Sequence, residues 1–444
     1  MLGILTDRTY RHLFLAQLIA LIGTGLLTVA LGLLAFELAG NEAGQVLGIA
    51  LAIKMVAYIA IAPVVGAFSS RLPRKTFLVA LDIVQAGVAL FLPFVTEVWQ
   101  IYGLIFVLQS ASAAFTPTFQ ASIPDILPDE EGYTKALSLS RLAYDMESLT
   151  SPLIAAAFLT VISFNGLFAG TAIGFVGSAI LVLRSGLAIG RAAKFHSGGV
   201  WARTSHGMVM YLKTPRLVGL LAVTLSAAAA GSMVTVNTVV IIREELALSQ
   251  AAYAITLGAY GLGSMLIALS VSSILRKLSD RTALLAASAF LTGLLAALAA
   301  LTLLVGIQWP IILGGWLCLG AAYSLCVTPA GRLLRRSSHA DNRTTIFAAQ
   351  FALSHACWLI AYPLAGWLGA SLGQSAAFAG LCALSLAGLI IAARVWPRRD
   401  ITQIVHAHPD LPADHPHIRD GHQPDEPVHT FVIDDIHTQW PKPT

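Results

Sequence analysis

Charge is scarce in this 444-residue chain: Asp, Glu, Lys and Arg make up 11% of residues against 57% hydrophobic ones. That poverty, with a mean hydropathy of +0.76, excludes a water-soluble globule, whose surface needs far more polar side chains. Cysteine is equally sparse. The four present, Cys318, Cys326, Cys357 and Cys382, all lie in apolar stretches of the second half without CxxC spacing. A disulfide framework is therefore excluded and a role as small buried hydrophobes expected. No GxxxxGK[ST] phosphate loop occurs, which argues against ATP-driven work and leaves no enzyme chemistry or cofactor to expect. The first apolar run follows Arg8 and Arg11 and outlasts a signal core, so it is expected to stay as a membrane helix.

What the chain does have is long apolar runs. A bilayer-spanning helix needs about 20 such residues. Windows of this kind are expected near 12–38, 45–66, 76–96, 100–122, 136–162, 167–183, 217–242, 251–275, 283–305, 311–329, 345–368 and 375–393. The fold class is therefore an all-α membrane protein of twelve transmembrane helices. Of the 27 Lys and Arg residues, all but Lys54, inside a helix, and Arg243 fall in segments on one face, the face that carries both termini. By the positive-inside rule that face is cytoplasmic, and the location expected is a bacterial inner membrane. Basic residues spread over separate loops of one face form no stripe for nucleic acid.

The segment 184–216 is weakly apolar and carries Arg184, Arg191, Lys194, Arg203, Lys213 and Arg216. It divides the chain into a bundle of six helices over 1–183 and a second over 217–396, leaving 397–444 as a tail. Thr116-Pro117 recurs as Thr328-Pro329 at an offset of 212, and Pro152 recurs as Pro363 at 211. These recurrences point to a duplicated unit. Transporters with repeats related by an axis along the membrane normal hold their substrate between the halves near mid-bilayer.

Ionisable residues at membrane depth are costly and mark function by default. Glu147 lies near the middle of helix 5 without a basic partner on its own helix. His355 sits at comparable depth on helix 11, and the two together suit a divalent cation or a proton exchanged against it. Lys54 on helix 2 needs an acidic partner, for which Glu147 and Asp82 are the choices. Asp82 itself, and the pair Arg141 and Asp145 four residues apart on helix 5, read as structural.

Beyond Trp396 the composition changes: residues 397–444 hold 8 of the 19 prolines and 7 of the 12 histidines. Such a stretch is expected to lack regular structure, with Phe431, Val432 and Ile433 able to dock as a short extended piece. His406, His408, His415, His417, His422, His429 and His437 are candidate ligands for a transition metal such as nickel or zinc.

The stretch Gly66 to Lys75 is similar to the G-x-x-x-D-R-x-G-R-R loop after helix 2 of the major facilitator superfamily. Gly66, Arg71, Arg74 and Lys75 fit that pattern, whereas Ser70 replaces its acid and Pro73 its second glycine. The link from Pro124 to Glu130, with Ala136 and Leu137, resembles the helix 4 to 5 connection of bacterial efflux members. This resemblance covers residues 1 to about 396 and implies alternating access between two bundles, with Gln109, Asn237 and Tyr323 on helices that line the cavity. With the His-rich tail added, the chain resembles nickel-resistance permeases of the Nre type. That resemblance implies proton-coupled export of nickel, or cobalt, with the metal as substrate, the lipid bilayer as surroundings and a monomer as the working unit. The alternatives are export of an organic compound such as a drug or siderophore, and a metal sensor that does not transport.

Overall fold

A computed structural model describes residues 2–68, 73–127, 130–187, 200–338, 343–398, 403–405, 428–430, 433 and 440. Residues at the water boundary start and stop the helices. Helix α1 (Arg8–Ala39) begins where the Asp7 carboxylate accepts the Tyr10 amide. It ends at Gly40, whose φ of 51° only a glycine adopts at low cost. α2 (Ala43–Phe68) returns, and α3 (Arg74–Phe91) and α4 (Val98–Ile126) follow. Glu97 and Gln100 form a reciprocal capping box at the start of α4. α5 (Glu130–Phe158) and α6 (Phe164–Arg184) complete the first six.

The segment expected to be a linking loop contains a helix, α7 (Val200–Lys213), which lies against α14 and α2. The next span runs from Pro215 to Glu245 in four pieces. These are α8 (Pro215–Ser232), a π turn (Met233–Asn237), the single turn α9 (Thr238–Val240) and a second π turn (Ile241–Glu245). α10 (Gln250–Lys277) and α11 (Asp280–Val305) are both started by serine caps, Ser249 and Ser279. The tenth span breaks at Thr328 and Pro329 into α12 (Trp309–Val327) and α13 (Ala330–Arg336). α14 (Arg343–Leu372) and α15 (Gln374–Val395) close the set.

Among the described residues ten stretches have the length and hydropathy to cross a membrane. One of them, Arg8–Ile61, joins α1 and α2 across the Gly40 turn, and α5, 29 residues long, is a further long helix beside the ten. Counting both gives the expected twelve. Ile173, Leu269 and Leu303 stand 72%, 78% and 76% exposed around the outside, as an apolar solvent requires.

Packing repeats pair for pair. In the first six helices α1 lies against α5 and α6, α3 against α4 and α6, and α2 against α4. In the second six α8 lies against α14 and α15, α11 against α12 and α15, and α10 against α12. The seams between the halves, α2 with α14 and α10 with α5, exchange under the same correspondence. Pro152 in α5 and Pro363 in α14 occupy equivalent helices.

In the tail, where no regular structure was expected, β1 (Gln403–Val405) pairs antiparallel with β2 (Val428–Thr430), setting Ile404 opposite His429. Ile433 is buried, and the Trp440 ring lies over the Arg216 guanidinium at 5.3 Å.

Candidate functional site

Lys54 and Tyr58 are one helical turn apart on α2, and Phe351 and His355 are one turn apart on α14, so each pair shares a face. The two faces meet at the seam. The Tyr58 ring stacks on the His355 ring at 5.2 Å and 7°, and the Phe351 ring lies 5.9 Å from Tyr58 and 4.1 Å from His355. Nδ1 of His355 is 2.6 Å from the Phe351 carbonyl. Because a carbonyl only accepts, that nitrogen carries the proton and donates it. Tyr58 is held from behind by a 2.9 Å hydrogen bond between its hydroxyl and Ser112 of α4.

Lys54 Nζ lies 6.0 Å from the centre of the Tyr58 ring. Its charge is within Coulombic reach of Glu147 on α5 and of His355. Of the two acids that the sequence offered Lys54, the structure brings Glu147. Asp82 is buried between α3 and α6, where its carboxylate accepts from Ser178 at 2.7 Å. Glu147 packs on a bared stretch of α1: a Cβ at Gly25 would stand 2.9 Å from its Oε1 and 2.0 Å from Ser151 Oγ. At 1.5 Å per residue, Lys54 and Glu147 are each roughly 17 Å from the far ends of their helices, close to the middle of a ~30 Å core. Both are only partly buried. The side chains of Arg141 and Asp145 lie outside the described residues.

The second half carries a further run of rings. The offset that carries Pro152 to Pro363 carries Glu147 to Trp358. Trp358 packs 5.0 Å from Tyr362 and 6.1 Å from Tyr323, and Tyr323 packs 5.7 Å from Tyr260 of α10. Tyr58, Phe351, Trp358, Tyr362 and Tyr260 were not among the residues singled out from sequence. Spacing by one turn from Lys54 and His355, and the repeat offset, would have found Tyr58, Phe351 and Trp358.

Asn237, expected to face the cavity, is fully buried in the first π turn, and its Nδ2 donates to the Ala365 carbonyl of α14 at 3.0 Å. Its Oδ1 fills the space that Gly44 and Gly369 leave. It thus joins a glycine-lined contact at the end of the bundle far from the termini. There a Cβ on Gly48 would stand 2.6 Å from the Tyr362 carbonyl oxygen, and one on Gly366 2.3 Å from that of Gly44. Gln109 is buried in α4.

Of the expected gating loop, Gly66 lies within α2, Arg71 lies outside the described residues, and Arg74 and Lys75 begin α3. Lys75 donates to the Ser185 carbonyl at 2.9 Å, tying the start of α3 to the end of α6. The charge pair that Ser70 cannot make is present in the other half: Asp280 receives Arg336 at 2.6 Å and Arg332 at 3.6 Å. Of the tail histidines, His429 lies in β2, and His406, His408, His415, His417, His422 and His437 lie outside the described residues. Among the described residues no group of three or more His, Cys, Asp and Glu side chains comes together to hold a metal.

Two six-helix halves sharing a mid-depth polar cluster define a multi-pass membrane transporter fold. Residues 13–291 and 220–407 match the Major Facilitator Superfamily, and the chain belongs to it. Macrolide efflux protein A of Streptococcus pyogenes is 26% identical over 171 residues, covering 37% of this chain and 42% of that protein. Its counterpart in Enterococcus faecalis is 27% identical over 131 residues, covering 28% and 40%. The chain thus spans less than half the length of these relatives. Among solved structures, a POT family transporter in complex with 5-aminolevulinic acid superimposes with a TM-score of 0.67 at 13% identity, covering 88% of this chain and 96% of that one. A bacterial homologue of the lysosomal transporter Spinster, described as inward-facing, gives 0.64 at 12% identity over 87% and 94%.

Proposed function

We propose that this chain is a secondary active exporter of an organic compound, working by alternating access in a bacterial cytoplasmic membrane with both termini inside. The observation that carries this reading is the mid-depth site itself, in which one carboxylate, Glu147, and Lys54 lie at the depth of the ring cluster of Tyr58, His355 and Phe351 at the seam between the halves. Rings supply apolar contact and polarisable faces for an organic cargo, and pockets for such molecules are mostly apolar with few polar groups. The macrolide efflux relatives support the same direction of transport. Glu147 and His355 are the groups that carry protons in the exchange, with Lys54 and Tyr323 on the walls of the path. Gln109 and Asn237 support the helices around it.

Everted membrane vesicles holding the chain are expected to accumulate organic substrates from a mixed panel when a proton gradient is imposed, and to lose that accumulation on Glu147→Gln. Uptake that survives Glu147→Gln unchanged rejects the site. A second reading, export of a divalent metal such as nickel or cobalt, is favoured by the seven tail histidines. Nickel accumulation in the same vesicles, lost when those histidines become alanine, decides for it.

A further inference from the structure

Lys54 has no obvious business in a site built for an apolar cargo. Its ammonium stands 6.0 Å from the Tyr58 ring and within Coulombic reach of Glu147, yet the two make no direct ion pair among the described residues. Tyr58, His355 and Phe351 contact one another, Tyr58 stacked on His355 and Phe351 tilted against both, and Trp358, one turn from His355 on α14, is partly exposed. An aromatic face attracts a cation through its quadrupole, more strongly where water is excluded. The carboxylate adds the opposite charge. This is a cradle for one positive charge, and a side chain of the protein already sits at it.

We infer that Lys54 is a tethered occupant of this cradle and that the cargo is an organic monocation which displaces it, an inference resting on the proposed export of an organic compound. The carboxylate without a direct partner leaves an acceptor for a second cation. Displacement needs no breakage of a tight salt bridge, and Lys54 reclaims the cradle once the cargo has left, which holds Glu147 compensated in the empty carrier. A divalent ion suits the place badly, because one carboxylate cannot balance two charges beside an ammonium. An anion would be drawn to Lys54 but repelled by Glu147 and by the ring faces.

The test uses the purified full chain and tetraphenylphosphonium, a permanent organic cation, with binding read by calorimetry. A ligand competing with an internal occupant binds more weakly by the fraction of carriers left open, so removing the occupant raises affinity by about tenfold if Lys54 fills the cradle nine times in ten. Lys54→Met is expected to tighten tetraphenylphosphonium binding by about that factor, Lys54→Arg to leave it near the native value, and Glu147→Gln to abolish it. A melting temperature unchanged from the native chain certifies each variant as folded, and Lys54→Gln replaces Lys54→Met should the latter fail that check. Weaker or unchanged binding in a folded Lys54→Met or Lys54→Gln chain overturns the inference. Native vesicles that accumulate only uncharged organic compounds also overturn it while leaving the proposed export intact. Vesicles that accumulate no organic compound, charged or uncharged, reject both.

Discussion

Gly366→Ala is the smallest change that interrogates how the halves close. A methyl group at Gly366 would stand 2.3 Å from the Gly44 carbonyl oxygen and 2.9 Å from the Gln45 Cα. Both obstacles are backbone, so no rotamer relieves them, and α2 has to retreat from α14 by about 1 Å to restore ordinary contact. Overpacking of this kind costs roughly 1–3 kcal/mol. The cost falls on the state in which the far ends touch and vanishes when they part, so the ratio of closed to open should fall by roughly 5- to 150-fold. Spin labels at Asn41 and Ser371, both exposed at the far face, report that separation by double electron–electron resonance after Cys318, Cys326, Cys357 and Cys382 are replaced. The variant is expected to move population from the short distance to a longer one. Gly87→Ala serves as the control, since nothing lies within 4 Å of a Cβ there. An identical distance distribution in the Gly366→Ala and native chains would refute the view that bare backbone contact seals this end.

Two further changes probe the face that carries the termini. Asp280→Asn removes the negative charge that pairs with Arg336 and Arg332 at a side chain only 3% exposed. The expected loss of stability is about 1–3 kcal/mol, below that for a fully buried pair because Arg336 keeps contact with water, and thermal unfolding in detergent measures it. Trp440→Ala takes away the ring above the buried Arg216, a contact of about 1–2 kcal/mol. Trypsin should then release the C-terminal segment faster while the membrane helices keep their melting temperature.

The twelve spans were legible because hydropathy over 20 residues is a strong signal, and the duplication because two prolines kept one offset. α5 illustrates where composition alone weakens. Its acids and bases depress its hydropathy, and it is read as a span through its repeat mate α14. The π turns around Asn237 were not legible, since nothing in Met233 to Glu245 departs from an ordinary apolar helix pattern. The first packs against α14, where Asn237 reaches the Ala365 carbonyl, and the second against α10. The partnership of Lys54 with Glu147 was one of two offered by charge alone. Choosing between Glu147 and Asp82 required knowing that Ser178 of α6 already serves Asp82. The aromatic wall was invisible for a different reason: in an apolar sequence a ring at helical spacing reads as core until its neighbours are known.

The same two helices carry both the far contact and the ring stack, and this couples them. Gly48 and Tyr58 are ten residues apart on α2, roughly 15 Å along the axis. On α14, Gly366 and His355 are separated by a comparable run. A tilt of α2 against α14 that parts the glycines also acts on the stacked rings of Tyr58 and His355, which join the same two helices. Stacked rings tolerate sliding over a few tenths of an ångström, since dispersion varies slowly along the plane, but they resist separation. The stack is thus suited to act as the fulcrum, and Lys54 and Glu147, on α2 and α5 of the same half, move together relative to α14. Opening the far end therefore changes the distance between this charged pair and the rings of α14, so that access to the site and its aromatic contacts are altered by one motion.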